Sequence, residues 1–301
     1  MPQVSDSVRR ARPLLGTLVE VQIGRCQGDG EAAIEAAFGA VAEVHRLMSF
    51  YDPDSDVSRL NRGAYHGAVK VAASTYTVLA AAIELHRRSG GLFDIAVAGE
   101  LQRMGLLPDD DEPHGATARA STAQISLLPD RTVRYLHPGV RIDLGGIAKG
   151  YAVDCAVKAL QAHGVRSGLV NAGGDLRAFG PELYPVSVRK PDDPSRLTCE
   201  AHVRDEALAS SGPRFDPMQS RATCQSAVID PAGAIVPCDM AGATVRAASC
   251  MLADALTKVV MLSGERSATI LEHYGASAMV MKASGEICVS AGWREVDCLA
   301  A

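Results

Sequence analysis

Apolar and polar positions alternate over residues 16–23 (GTLVEVQI), where Val19, Val21 and Ile23 recur with period two, and this predicts a half-buried strand. Asp29 then stands where it can cap a helix whose Ile34, Ala37, Val41, Val44 and Met48 follow a helical spacing. Ser49–Asn61 (SFYDPDSDVSRLN) is polar, carries Pro53 and reads as a loop. A second helix is predicted from about Ser74 to Arg88, stopping at Gly90–Gly91. Residues 108–124 set Asp109, Asp110, Asp111 and Glu112 between two prolines and read as an exposed acidic loop, with nothing to shape those carboxylates into a metal site. Strands are expected at 132–136, 166–171 and 186–189, helices at 147–163 and near 248–263, and a last strand pair around 277–290. Helices and strands interleave without strict βαβ regularity. The expected class is therefore α+β (mixed α/β), with two lobes around a central cleft. Residues 12–301 are taken as one domain and residues 1–11, with Arg9 and Arg10, as a flexible N-terminal arm.

Composition narrows the class. The 301 residues are 47% hydrophobic and 22% charged, the balance of a packed protein rather than a disordered one. A net charge of -5 argues against a dedicated nucleic-acid binder. The apolar stretch after the first arginines is broken by Pro13 and Gly16, too short for a signal peptide. No segment approaches the roughly 20 apolar residues of a membrane span. None of the eight cysteines forms a CxxC pair, so free thiols in a reducing compartment are expected. That favours the cytoplasm, or the periplasm if a leader has been removed.

Two glycine-rich segments carry the candidate chemistry: Asp143–Asp154 (DLGGIAKGYAVD) and Asn171–Gly180 (NAGGDLRAFG). Glycine lets backbone approach a ligand closely, and the amides at a helix start attract phosphate. Neither segment matches GxxxxGK[ST] or GxGxxG, and either alone reads as a tight strand–helix turn. Together, with Asp143, Asp175 and Lys149, they point to a phosphorylated ligand. Asp254 lies in an otherwise apolar helix, between Met251, Leu252 and Leu256, and a carboxylate there must be paired or bind a cation. An i,i+4 ion pair with Lys258 is the plainer explanation; a hard divalent cation is the sharper one.

With these segments in view, the chain resembles the FAD:protein FMN transferase (ApbE) family. The resemblance is carried in order by Leu15–Thr17 (LGT), Met48–Asn61, Gly90–Val97 (GGLFDIAV), Asp143–Asp154, Val170–Gly180, Ser210–Gly212 (SSG), Ile229–Pro231 (IDP) and Ala253–Thr257 (ADALT). It implies a cleft binding FAD with Mg²⁺ at the pyrophosphate, transfer of FMN to a threonine of a partner flavoprotein, and release of AMP. It places Leu15, Tyr51, Leu92, Phe93, Asp94, Asp143, Lys149, Gly173, Gly174, Asp175 and Ile229 at the cofactor, with Tyr51 stacking on the flavin and the amides of Gly173 and Gly174 facing phosphate or ribose. It gives the metal to Gly146 (by its carbonyl), Asp254 and Thr257, and catalytic charge to Asp254, Lys149 and Lys258.

Two family features are replaced. Ala227 stands where the family places a histidine, and Lys258 stands where it places a threonine four residues after the metal-binding aspartate. A lysine there either pairs with Asp254 or turns to the phosphates. The alternatives to a transferase are an FAD-binding carrier or sensor, and a hydrolase splitting FAD into FMN and AMP. The serines Ser210 and Ser211 sit in no GxSxG elbow, so a serine hydrolase is disfavoured.

Overall fold

Two residues with positive φ, Leu15 at 56° and Gly16 at 70°, turn β1 (Val8–Leu14) back onto β2 (Thr17–Ile23) as an antiparallel hairpin. The computed structural model describes residues 7–24, 28–108, 120–191, 193, 195–212, 228 and 240–293. The expectation of a flexible arm up to residue 11 fails from Val8 onward, because Val8–Ala11 pair with Glu20–Ile23. Alternation does not reveal β1, since it is an edge strand with mostly exposed side chains. Its arginines instead form ion pairs: Arg9 with Glu20 at 2.7 Å, Arg10 with Glu31 and Arg12 with Glu35.

Asp29 caps α1 (Gly30–Met48), accepting from the amides of Glu31 and Ala32, and the predicted apolar face is buried. The stretch read as a loop contains α2 (Asp56–Gly63), started by Ser55, whose hydroxyl accepts from Ser58 N. Its Asp56 and Asn61 are turned onto neighbouring segments rather than water, which hid the helix. Asp56 accepts from Ala72 N and Thr75 Oγ1, and Asn61 bonds both N–H and C=O of Ile142. β3 (Val69–Lys70) and α3 (Ala73–Arg88) follow, then α4 (Ala98–Arg103), β4 (Ile125–Leu128) and β5 (Thr132–Tyr135), with a small sheet in the order β3-β5-β4.

Next come α5 (Ala148–Ala162), β6 (Gly168–Ala172), β7 (Asp175–Phe179), β8 (Tyr184–Arg189), β9 (Leu197–Val203), β10 (Ala207–Ser211), β11 (Met240–Ala247), α6 (Cys250–Ser263), α7 (Ala268–His273), β12 (Ser277–Lys282) and β13 (Ile287–Val289). The mixed α/β class therefore stands. The main sheet runs β1-β2-β6-β7-β10-β11-β12-β13, antiparallel throughout. On one face α5 lies against β6 and β7, α6 against β10 and β11, and α1 against α5. On the other, the β8–β9 pair packs over Leu176, Leu208 and Met279. α6 is apolar nearly all round, which suits a helix enclosed by sheet and neighbouring helices.

Cys199 and Cys250 are buried, and Cys155 and Cys288 are partly exposed; the other four cysteines lie outside the described residues. The acidic residues 109–112 lie outside them as well. Among the described residues, no helix is long and apolar enough to cross a membrane.

Candidate functional site

Strand pairing puts the Leu15–Thr17 block beside the second glycine-rich segment. β2 pairs with β6, so the Leu15–Gly16 turn lies beside the Gly173–Gly174 turn that joins β6 to β7. Gly173 has φ 65°, and a Cβ on it would come within 2.5 Å of Thr17 Oγ1, so glycine is required on both counts. Asp175 follows at the first position of β7, its carboxylate buried. The amide of Gly174, expected to face phosphate or ribose, instead donates to Asn171 Oδ1 at 2.9 Å and closes the turn itself.

α5 brings the lysine. Lys149, in its first turn, places Nζ 3.0 Å from Asp175 Oδ2 and 4.0 Å from Asp254 Oδ2. Gly150 allows this: a Cβ there would lie 2.2 Å from Cys250 O, so only glycine lets α5 run so close to the start of α6. Asp154, a residue the motif reading left without a role, locks the same crossing. Its carboxylate accepts from the amides of Cys250 and Met251, at 3.0 and 2.9 Å, and from Arg177 Nη1 at 2.6 Å. These are two of the amides a helix start leaves unpaired, so Asp154 fixes where α6 begins and hence where Asp254 stands.

Asp254 is fully buried and both its oxygens are engaged. Oδ2 accepts from Gly150 N at 3.0 Å, and Oδ1 holds the Lys258 ammonium, which also donates to the Asp254 main-chain oxygen at 3.1 Å. The i,i+4 ion pair is thus the arrangement formed. Burial works to raise the Asp254 pKa, but Lys149 and Lys258 together outweigh it and hold it below the usual carboxylate range. Asp175 goes the other way: burial raises its pKa, and Lys149 only partly offsets that. Asp143 is likewise raised by burial, against the Gly145 amide that it accepts from at 2.9 Å. For Lys149 burial would lower the pKa, but Asp175 and Asp254 raise it, so its charge is secure.

The remaining candidates stand around this cluster. Asp143 donates its amide to Ile95 O at 2.9 Å, which ties the Gly90–Val97 block to the glycine loop. Within that block Phe93 is buried and Leu92 partly so. Asp94 Oδ1 accepts from Ala96 N, Thr122 N and Thr122 Oγ1, a turn-holding role that turns this oxygen inward. Tyr51, between α1 and α2, is 56% exposed, with its ring set edge-on to Phe50. Leu15 sits at the hairpin turn. Ile229 and Ala227, with residues 230–233, lie outside the described residues.

The donors do not fit the divalent cation that the resemblance implies. Lys258 occupies Asp254 Oδ1, and its stem crosses Gly146, with Cε 3.4 Å from where a Gly146 Cβ would be. The buried Thr257 hydroxyl donates to Asp254 O at 2.6 Å and lies 2.8 Å from Ser211 Oγ. Two unit charges of one sign 4 Å apart repel by about 4 kcal/mol at an effective dielectric near 20, and a divalent ion doubles that. A cation at Asp254 would have to displace the ammonium already there.

A sequence model of the ApbE family matches residues 15–289. The FAD:protein FMN transferase of Vibrio cholerae is 27% identical over 277 residues, covering 87% of this chain and 83% of that protein. The FAD:protein FMN transferase of Treponema pallidum is 27% identical over 313 residues, covering 94% and 86%. Among solved structures, the ApbE protein of Thermotoga maritima superposes with a TM-score of 0.86 at 24% identity, covering 96% of this chain and all of that one. The flavin transferase ApbE from Vibrio cholerae superposes with a TM-score of 0.79 at 23% identity, covering 96% and 98%. At these identities the superpositions establish the fold.

Proposed function

The chain belongs to the ApbE family, and from that membership we propose that it transfers FMN from FAD to a threonine hydroxyl of a partner flavoprotein, releasing AMP. The threonine oxygen attacks the phosphorus that bears riboflavin. The bond from that phosphorus to the AMP oxygen breaks, AMP leaves with the electron pair, and the hydroxyl proton passes to solvent. Such a transfer asks the protein mainly for alignment and for positive charge at the phosphates.

One observation carries this reading. Two ammonium groups, Lys149 and Lys258, are anchored on the buried carboxylates Asp175 and Asp254 where the glycine-rich segments converge. Anchoring fixes their positions before a ligand arrives, so little reorganisation is needed as charge develops on the leaving phosphate. The exposed ring of Tyr51 supplies a stacking face for the isoalloxazine, and Leu15 an apolar edge. No step of this reading runs through a divalent ion.

The test incubates the protein with FAD and a flavoprotein domain bearing an acceptor threonine, followed by intact mass spectrometry. The acceptor is expected to gain one FMN, with AMP formed in equal amount. FAD bound but unchanged would replace this reading with a carrier, and AMP formed without acceptor would replace it with a hydrolase.

A further inference from the structure

Lys258 enters the site as its own residue rather than as a tolerated neighbour. Its ammonium is held at two points of one residue, the side-chain Oδ1 and the main-chain oxygen of Asp254. Its stem lies against Gly146, and its side chain is 18% exposed. An ammonium has three N–H donors. Two acceptors on Asp254 therefore leave one donor for a ligand.

We propose that the Lys258 ammonium takes the place of the divalent cation, so that this chain binds FAD and transfers FMN without a metal ion. The ligand in this inference rests on the transferase reading; the charge replacement rests on the geometry of α6. Asp254 is satisfied without a metal: one oxygen faces Lys258 and the other Gly150 N, with Lys149 4.0 Å away. Lys149 and Lys258 already face Asp175 and Asp254, with Asp143 within electrostatic reach of both, so two fixed positive charges stand where a dication would have to enter. Lysine binds phosphate as a compact point charge, which is the electrostatic part of what a metal supplies there. During transfer the bond to AMP breaks with its electron pair going to the AMP phosphate. Lys258 donates a hydrogen bond to the oxygen that gains this charge and keeps its own proton.

The test measures FAD affinity by flavin fluorescence, and acceptor labelling by mass spectrometry, in EDTA and in Mg²⁺. For the unaltered protein both readouts are expected to agree between the two buffers within about threefold; a larger loss of FAD affinity in EDTA overturns the inference. Lys258→Met keeps the stem and removes the charge, and should weaken FAD binding in EDTA by about tenfold or more. Lys258→Thr should lose affinity in EDTA to a similar degree and regain it on adding Mg²⁺. Either variant binding FAD in EDTA as tightly as the unaltered protein would also overturn it. Circular dichroism checks that each variant folds; if neither does, the comparison of buffers on the unaltered protein decides. Absence of labelling in both buffers would count against the transferase reading alone, because the affinity measurements need no acceptor.

Discussion

Asp175 and Asp254 lie close together, both buried, and their surroundings push them in opposite directions. Asp254 has two ammonium groups and a backbone amide, while Asp175 shares one ammonium with its neighbour. The raised pKa of Asp175, driven by burial, has a definite consequence for stability. Its folded-state value lies above the unfolded one, so the native state holds more protons between the two. Stability should therefore fall as pH rises from about 4, the unfolded carboxylate value, up to the raised folded value. Asp175→Asn should reduce that slope, leaving the share that Asp143, raised in the same direction, contributes, and urea midpoints measured across the window would reveal it. An unchanged slope would show that Lys149 keeps Asp175 ionised throughout.

At the scale of elements, the crossing of α5 and α6 sets the site. Gly150→Ala would bring a Cβ to 2.2 Å from the Cys250 carbonyl oxygen, which is backbone and cannot turn aside. The helices must separate, at a cost of about 1–3 kcal/mol or more, and Asp254 Oδ2 must lose its bond from the Gly150 amide. Both a lowered melting temperature and weaker FAD binding are expected; a variant with unchanged values for both would show that the close approach is not needed. The helices themselves were legible in the sequence. The helix read from its Asp29 cap to Met48 and the 147–163 and 248–263 segments sit within two residues of α1, α5 and α6. α2 was not, because its polar side chains are held by Ala72, Thr75 and Ile142, residues distant along the chain. β7, β9, β10 and β11 were missed too, since several are buried on both faces and show no alternation.

For the molecule as a whole, β1 closes one edge of the eight-stranded sheet, and its Arg12 lies 4.6 Å from the centre of the Phe38 ring. Removing residues 1–14 would uncover the hydrogen-bonding edge of β2 and the ring of Phe38. Unpaired strand edges invite pairing with other chains. The shortened protein is expected to self-associate, visible as a larger species in light scattering at concentrations where the full chain is not aggregated. Equal scattering from both would mean that the β2 edge is protected in another way.

The sequence by itself determined the family, through ordered glycine, acid and lysine blocks spread along the chain, and the main helices, through apolar periodicity. It also showed that Lys258 could reach Asp254, because four residues is one helical turn. Tertiary structure decided the rest. Which carboxylate Lys149 would bridge depends on β7 and α6 arriving beside α5, and the capping of α6 by Asp154 joins positions 96 residues apart. Spacing along a chain says nothing about such contacts, since they follow from how a sheet and two helices pack. The placing of the Lys258 stem against Gly146 belongs to the same level: it is a contact between two segments that no local pattern records.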